Sequence, residues 1–359
     1  MPLVAHNNLP TFERLREEGC QVLSKDAAQH QDIRALHVGL LNMMPDLALE
    51  ATERQFFRLL DGANRVVQIH VHAFTVESLD RSEASKRHID KHYKSFDELR
   101  EMGLDALIIT GANVTKPDLT LEPFWDELCA VVDWAAEHVT SVFCSCLATH
   151  AVWQHRYNIK RRHLDTKCWG VFEHHAIESQ HPLVKRINTR FCVPHSRFNT
   201  VDPKPLATAG MHILVASDQI GVLLAVSEDG FRFVFSQGHP EYDTTSLLKE
   251  YKRELGRFVS GEREDYPPFV DNYFSRQSRA ILREHEAQVR EALVANWTIP
   301  ELPENLLIRR LDNVWRDTAH VIMANWIGKV YLLTHADRKL PFMDGIDAKN
   351  PLGLYPSAS

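Results

Sequence analysis

The sequence predicts an α/β fold, a mainly parallel sheet flanked by helices, with an additional helical segment towards its C-terminal end. Three observations predict it. Short apolar, β-prone runs alternate with helical stretches of ten to sixteen residues, the pattern of strand–helix–strand units. Two of those runs end in small turns, TGAN (110–113) and SCLAT (145–149), at the carboxyl ends of strands, where such sheets bind ligands. Beyond about residue 262 the strand signal stops and long helical periodicity takes over.

In chain order, IRALHVGLLNM (33–43) is a buried strand that breaks at Met44-Pro45. ALEATERQFFRLLDG (48–62) follows with apolar residues at helical spacing and a glycine where the helix can stop. RVVQIHVHAF (65–74) alternates like a strand, and the charged stretch 81–103 is a surface excursion with helical pieces. DALIITGAN (105–113) is a short strand running into a glycine turn, FWDELCAVVDWAAEHV (124–139) an amphipathic helix, and SVFCS (141–145) the next strand. Residues 212–243 read as strands joined by turns, with Asp229-Gly230 a hairpin signal. A long helix at 275–297, the proline-rich break IPELPEN and a last helix around VWRDTAHVIMANWIGKVY complete the chain. The expected division is an N-terminal extension (1–32), a catalytic α/β domain (33–262) and a C-terminal helical extension (263–359) packed on it.

Composition narrows the function classes. A chain of 359 residues can bury a large core. Its net charge of −7 argues against a nucleic-acid binder, and no basic run contradicts that. No apolar run approaches the roughly 18 residues a membrane helix needs, and the first residues lack the basic-then-apolar order of a secretory signal. The six cysteines are scattered, with no CxxC pair, so we expect free thiols in a reducing cytoplasm and no metal site.

Cys144 and Cys146 raise the catalytic question. Within the strand, Cys144 suits an inert buried thiol. Cys146 falls at the strand-to-helix turn, where a nucleophile is exposed and the following helix N-terminus favours thiolate. The competing reading makes both of them core filler. A thiol nucleophile needs a base and the base an orienting group. His239 in SQGHPEYD lies just past another strand, with Glu241 two residues on and Pro240 stiffening the turn, although a surface His-Pro turn would look the same.

At this point the chain resembles the homoserine O-acyltransferases of the MetA type, which share the class I glutamine amidotransferase (flavodoxin-like) fold. The likeness spans roughly residues 33 to 335. It is carried by LNMMPDLALEATERQFFRLL, HIDKHYKSFDELREMGLDALIITGAN, TKCWGVFEHH, VPHSRFN, SQGHPEYD, EYKRE and NWIGKVY. The resemblance implies an acyl-thioester at Cys146, a general base at His239 and its partner at Glu241, with substrate-binding positions at Lys167, Ser196 and Arg253. An arginine suits the carboxylate of an amino-acid acceptor because it binds bidentately, whereas without the family Arg253 reads as a solvated helix charge. Around the nucleophile this chain has CLATHA where the family commonly reads CWGAQA, so Leu147 and Ala148 replace a tryptophan and a glycine. Thr115 occupies the position where glycine goes with succinyl donors and glutamate with acetyl donors.

The implied reaction is a ping-pong transfer of an acyl group, expected to be succinyl, from acyl-CoA to the hydroxyl of L-homoserine in L-methionine biosynthesis. Acyl-CoA is a co-substrate, and no resident cofactor or metal is implied. The backbone N–H groups of Leu147 and of the turn at Gly111 are the expected oxyanion donors. Alternatives are acetyl-CoA as donor, L-serine as acceptor, or a hydrolase or amidotransferase using the same triad. Homodimers are frequent in the family, and this sequence neither supports nor opposes one.

Overall fold

The computed structural model describes residues 3–20, 22–29, 34–63 and 67–355. Ile33 of the first expected strand and Arg65 and Val66 of the second lie outside them. The described residues form one sheet of eleven strands. In chain order these are β1 (Leu3–Ala5), β2 (Val22–Ser24), β3 (Ala35–Leu41), β4 (Gln68–Phe74), β5 (Ala106–Ile109) and β6 (Ser141–Ser145). Then follow β7 (Arg162–Ala176), β8 (Arg190–Thr200), β9 (His212–Ser217), β10 (Gly221–Val226) and β11 (Phe233–Ser236). Across the sheet the order is β2-β1-β4-β3-β5-β6-β11-β10-β9-β7-β8.

The half from β2 to β11 is parallel and the half from β11 to β8 antiparallel. The expected mainly parallel α/β sheet is therefore present, joined to an antiparallel wing. The central strands read as apolar runs because both their faces are covered. Ala106, Ile108 and Phe143 face one core, shared with Phe56, Phe57 and Leu60 of the helix Asp46–Asp61 and with Met323, Trp326 and Val330 of the helix Arg316–Leu333. Leu107, Ile109, Val142 and Cys144 face the other, against the helices Trp125–His138 and Leu147–Tyr157. The expected helical segment is supplied by the helices Arg276–Ala295 and Arg316–Leu333. The latter is tied into the sheet: Trp326 Nε1 donates to Ser141 Oγ at 2.8 Å, and Thr334 Oγ1 to Asp105 at 2.7 Å.

The turn at Asp229-Gly230 joins β10 to β11 as expected. Asp229 Oδ1 accepts from the N–H groups of Phe231 and Arg232 at 2.8 Å each, and Gly230 takes a φ of +82°. The long hairpin β7–β8 was not expected, nor were β1 and β2, which extend the parallel edge beyond β4.

Candidate active site

β6 ends at Ser145, and the helix Leu147–Tyr157 begins one residue later. Cys146 fills the gap with φ 53° and ψ −110°, a conformation that costs a non-glycine residue about 1–3 kcal/mol. Three hydrogen bonds hold it there. Its N–H donates to Ser236 O of β11 at 2.7 Å, Thr149 N donates to Cys146 O at 3.2 Å, and Thr149 Oγ1 donates to Cys144 O at 2.9 Å. This is the strand–turn–helix elbow that lifts a nucleophile off the end of a sheet. Cys144, one step back, is fully buried, and burial pushes its thiol pKa up.

β11 is the parallel neighbour of β6, so the segment following it arrives beside Cys146. His239 N donates to Pro194 O at 2.9 Å, and His239 Nδ1 pairs with Glu241 Oε1 at 2.8 Å across the rigid Pro240. The Cys146 side chain lies close enough to the ring to favour its charged form. Burial disfavours the charged imidazole, but Cys146 and Glu241 outweigh it and raise the His239 pKa well above its ordinary value. Gly238 is needed for this approach, since a Cβ there would lie 2.7 Å from Leu223, 2.8 Å from Val193 and 2.9 Å from His195 Nε2. On the other side of the elbow stands Gly111, where a Cβ would lie 3.7 Å from Cys146 Cβ and 4.0 Å from Leu147 N. Gly111 and Leu147, the two expected oxyanion positions, thus both lie beside Cys146.

Beside the histidine is a second cluster. Tyr242 stacks on His239, with 4.2 Å between ring centroids, and donates its hydroxyl to Glu250 Oε1 at 2.8 Å. The other Glu250 oxygen accepts from Ser196 Oγ at 2.6 Å and Lys167 Nζ at 3.1 Å. Burial raises the Glu250 pKa, but Lys167, Ser196 and Tyr242 outweigh it, and the carboxyl stays below its ordinary value. Lys167 Nζ also lies 4.4 Å from the ring centroid of Trp169. The β7–β8 hairpin brings Lys167 and Ser196 together, with Ser196 opposite Trp169 in its register. Trp315 Nε1 supports the cluster from behind, donating to Tyr242 O at 2.8 Å.

Two expected residues stand apart. The Arg253 side chain is 55% exposed on the helix Ser246–Val259, with its Nε 3.7 Å from Glu254. Thr115 is exposed on the loop after β5, and its N–H donates to Glu122 Oε1 at 2.6 Å. Sequence reasoning missed Glu250 and Tyr242. Glu250 is the first residue of the quoted EYKRE, three positions before Arg253, and an acid beside two expected ligands was the available signal. It also missed Arg197, a buried cation whose guanidinium donates to His195 Nδ1 at 3.2 Å and to the carbonyls of Asn199 and Ile220 at 2.7 and 2.8 Å. Among the described residues no group of three or more His, Cys, Asp or Glu side chains could hold a metal ion, and no helix is long and apolar enough to cross a membrane.

Comparison with known proteins bears on this geometry. The family model described as Homoserine O-succinyltransferase matches residues 2–336. A homoserine O-succinyltransferase of Allochromatium vinosum is 60% identical over 354 residues, 99% of this chain and 99% of that protein. One of Methylococcus capsulatus is 57% identical over 354 residues, 99% of this chain and 100% of that protein. Among solved structures, a glutamine amidotransferase from Thermotoga maritima aligns over 83% of this chain and 98% of its own, at 10% identity and a TM-score of 0.46.

Proposed function

The chain belongs to the homoserine O-succinyltransferase family, and from that premise we propose that it transfers the succinyl group of succinyl-CoA to the hydroxyl of L-homoserine, a step of L-methionine biosynthesis. Cys146 sulfur attacks the thioester carbonyl, the carbon–sulfur bond to CoA breaks, and His239 gives its proton to the departing thiolate. The now neutral imidazole takes the proton of the homoserine hydroxyl. The alkoxide oxygen attacks the acyl-enzyme, and the bond to Cys146 breaks. Glu241 fixes the ring orientation and stabilises its charged form. The N–H groups of Leu147 and Gly111 receive the oxyanion in both halves.

The single observation that carries this reading is His239 held between Cys146 and Glu241 beside the Lys167–Glu250 pair. A cation and an anion side by side match the carboxylate and ammonium of an amino-acid acceptor. We assign Glu250 to the ammonium, and Lys167 with Ser196 to the carboxylate. Arg253, three residues from Glu250 on the same helix, is assigned to that carboxylate as a second cation. Thr115 selects the donor: uncharged and short, it leaves room for the terminal carboxylate of a succinyl group. Six free cysteines suit a cytoplasmic setting.

The test is incubation with succinyl-CoA, with and without homoserine, following CoA release with a thiol reagent. Without acceptor, one equivalent of CoA should appear and the Cys146 peptide should gain one succinyl group. Homoserine should convert that burst into turnover. Continuous CoA release without any acceptor would instead identify a hydrolase, and release with serine but not homoserine would reassign the acceptor.

A further inference from the structure

The active site accounts for the acyl group and the acceptor but not for the distant nucleotide end of the donor. A chain of contacts leads from the triad to a surface suited to it. Tyr242 links His239 to Glu250, and Glu250 holds Lys167. Lys167 Nζ lies 5.9 Å from the ring centroid of Phe198 on β8, a phenylalanine that is 50% exposed. His163 on β7 lies parallel to that ring, with 6.0 Å between centroids and 8° between planes. β7 is irregular here: His163 pairs with Asn199 and Cys168 with Arg197, so the two rings lie just beyond Lys167 along the hairpin. They stand on the far side of Lys167 from the triad, where the distant end of a long donor can reach.

Three cations immediately precede His163 in the chain. The sequence reading passed over Lys160-Arg161-Arg162, a run shorter than the basic segments of nucleic-acid binders. The Lys160 and Arg162 side chains are 66% and 59% exposed, each facing one carboxylate, Asp118 at 3.0 Å and Asp202 at 3.3 Å. Arg161 donates Nη2 to the carbonyls of Lys116 and Pro117 at 3.0 and 3.4 Å, while its Nη1 is buried with no hydrogen-bond partner. Exposed ion pairs of this kind contribute little in water, so an arriving phosphate can replace the carboxylates at small cost. Guanidinium groups meet phosphate oxygens in a geometry that lysine alone does not provide.

We propose that the outer end of the β7–β8 hairpin binds the phosphorylated adenosine of the acyl-CoA donor, the adenine stacking on Phe198 and His163 and the phosphates meeting Lys160, Arg161 and Arg162. The assignment rests on the acyl-CoA reading above and adds to it a site for the donor's nucleotide. Its test compares succinyl-CoA with succinyl-pantetheine, which carries the same thioester without the nucleotide. Phe198→Ala should raise KM for succinyl-CoA about ten-fold or more, the loss expected for a stacked base. It should leave kcat/KM for succinyl-pantetheine and KM for homoserine unchanged. Arg162→Ala should raise KM for succinyl-CoA in the same selective way. An equal loss with both donors, or an unchanged KM for succinyl-CoA, overturns the proposal. Calorimetry with adenosine bisphosphate separates it from the reaction itself. Binding to the native enzyme that Phe198→Ala abolishes supports the nucleotide surface even if neither donor is turned over. An absence of binding to the native enzyme overturns it.

Discussion

Glu250→Gln removes one negative charge from the centre of the acceptor cluster and hardly changes its volume. The native carboxylate is 13% exposed and accepts from three donors, Lys167, Ser196 and Tyr242. A carboxamide keeps one accepting oxygen and sets an NH2 group against at least one of those donors. Two losses follow. The Lys167 ammonium, 19% exposed, is left facing a neutral group. Stranding a buried charge costs about 3–5 kcal/mol, and residual exposure together with the Trp169 ring 4.4 Å away reduces this towards the low end. The acceptor ammonium meanwhile loses a charged hydrogen bond of about 1.5–3 kcal/mol, so KM for homoserine should rise roughly 10- to 150-fold. Acylation of Cys146 does not involve the ammonium. The burst of CoA without acceptor should therefore be nearly unchanged, while transfer to homoserine falls. Glu250→Asp, which retains the charge, should recover part of the loss. A burst slowed as much as the transfer would make Glu250 a structural support only, and an unchanged KM would remove it from the acceptor site.

Cys146→Ala should abolish both the burst and turnover, whereas Cys144→Ala should retain them with lowered stability; a succinyl group mapped to Cys144 by mass spectrometry would reverse the assignment. His239→Ala should slow transfer by about a hundred- to ten-thousand-fold, and near-normal turnover would dissolve the triad. Thr115→Glu should move the kcat/KM ratio from succinyl-CoA towards acetyl-CoA, because a glutamate there opposes the terminal carboxylate of the succinyl group; an unchanged ratio would place donor choice elsewhere. Acid should destabilise the fold through His37, His70 and His72, which burial holds neutral, His37 down to about 3, His70 to about 4 and His72 lower still. The unfolded chain protonates these groups near pH 6.5, so stability is full above that value and falls as pH drops towards 4, by about 1.4 kcal/mol per unit for each histidine that stays neutral in the fold. The urea midpoint should show this slope and His72→Leu should reduce it by one histidine's share, since others such as His150 and His195 are held neutral in the same way, while a flat native profile between pH 7 and 5 would refute it.

What could be read from the chain was what is local. The elbow at Cys146 lies within about ten residues, a strand that ends and a helix that begins, and both signals are periodic. The central strands were legible because burial on both faces leaves them almost wholly apolar, as in ALII of β5 and SVFCS of β6. β1 and β2, three residues each, are too short to carry any period. β7 fails for a different reason. Its first half is mainly exposed on both faces, and its second half is buried between the sheet edge and the helices Ser246–Val259 and Arg276–Ala295. No single alternation runs through it.

That failure hid the proposed acceptor cluster. Lys167, Ser196 and Glu250 come from three segments up to 83 residues apart, and only the hairpin register and the following helix make them neighbours. Each alone is an ordinary surface-type residue, and the family resemblance could mark Lys167 and Ser196 without giving the reason for either. The reason is the carboxylate between them. A charge buried beside a hairpin is tolerated only where its partners converge on it, so the acid, rather than the donors around it, fixes where the cluster must form.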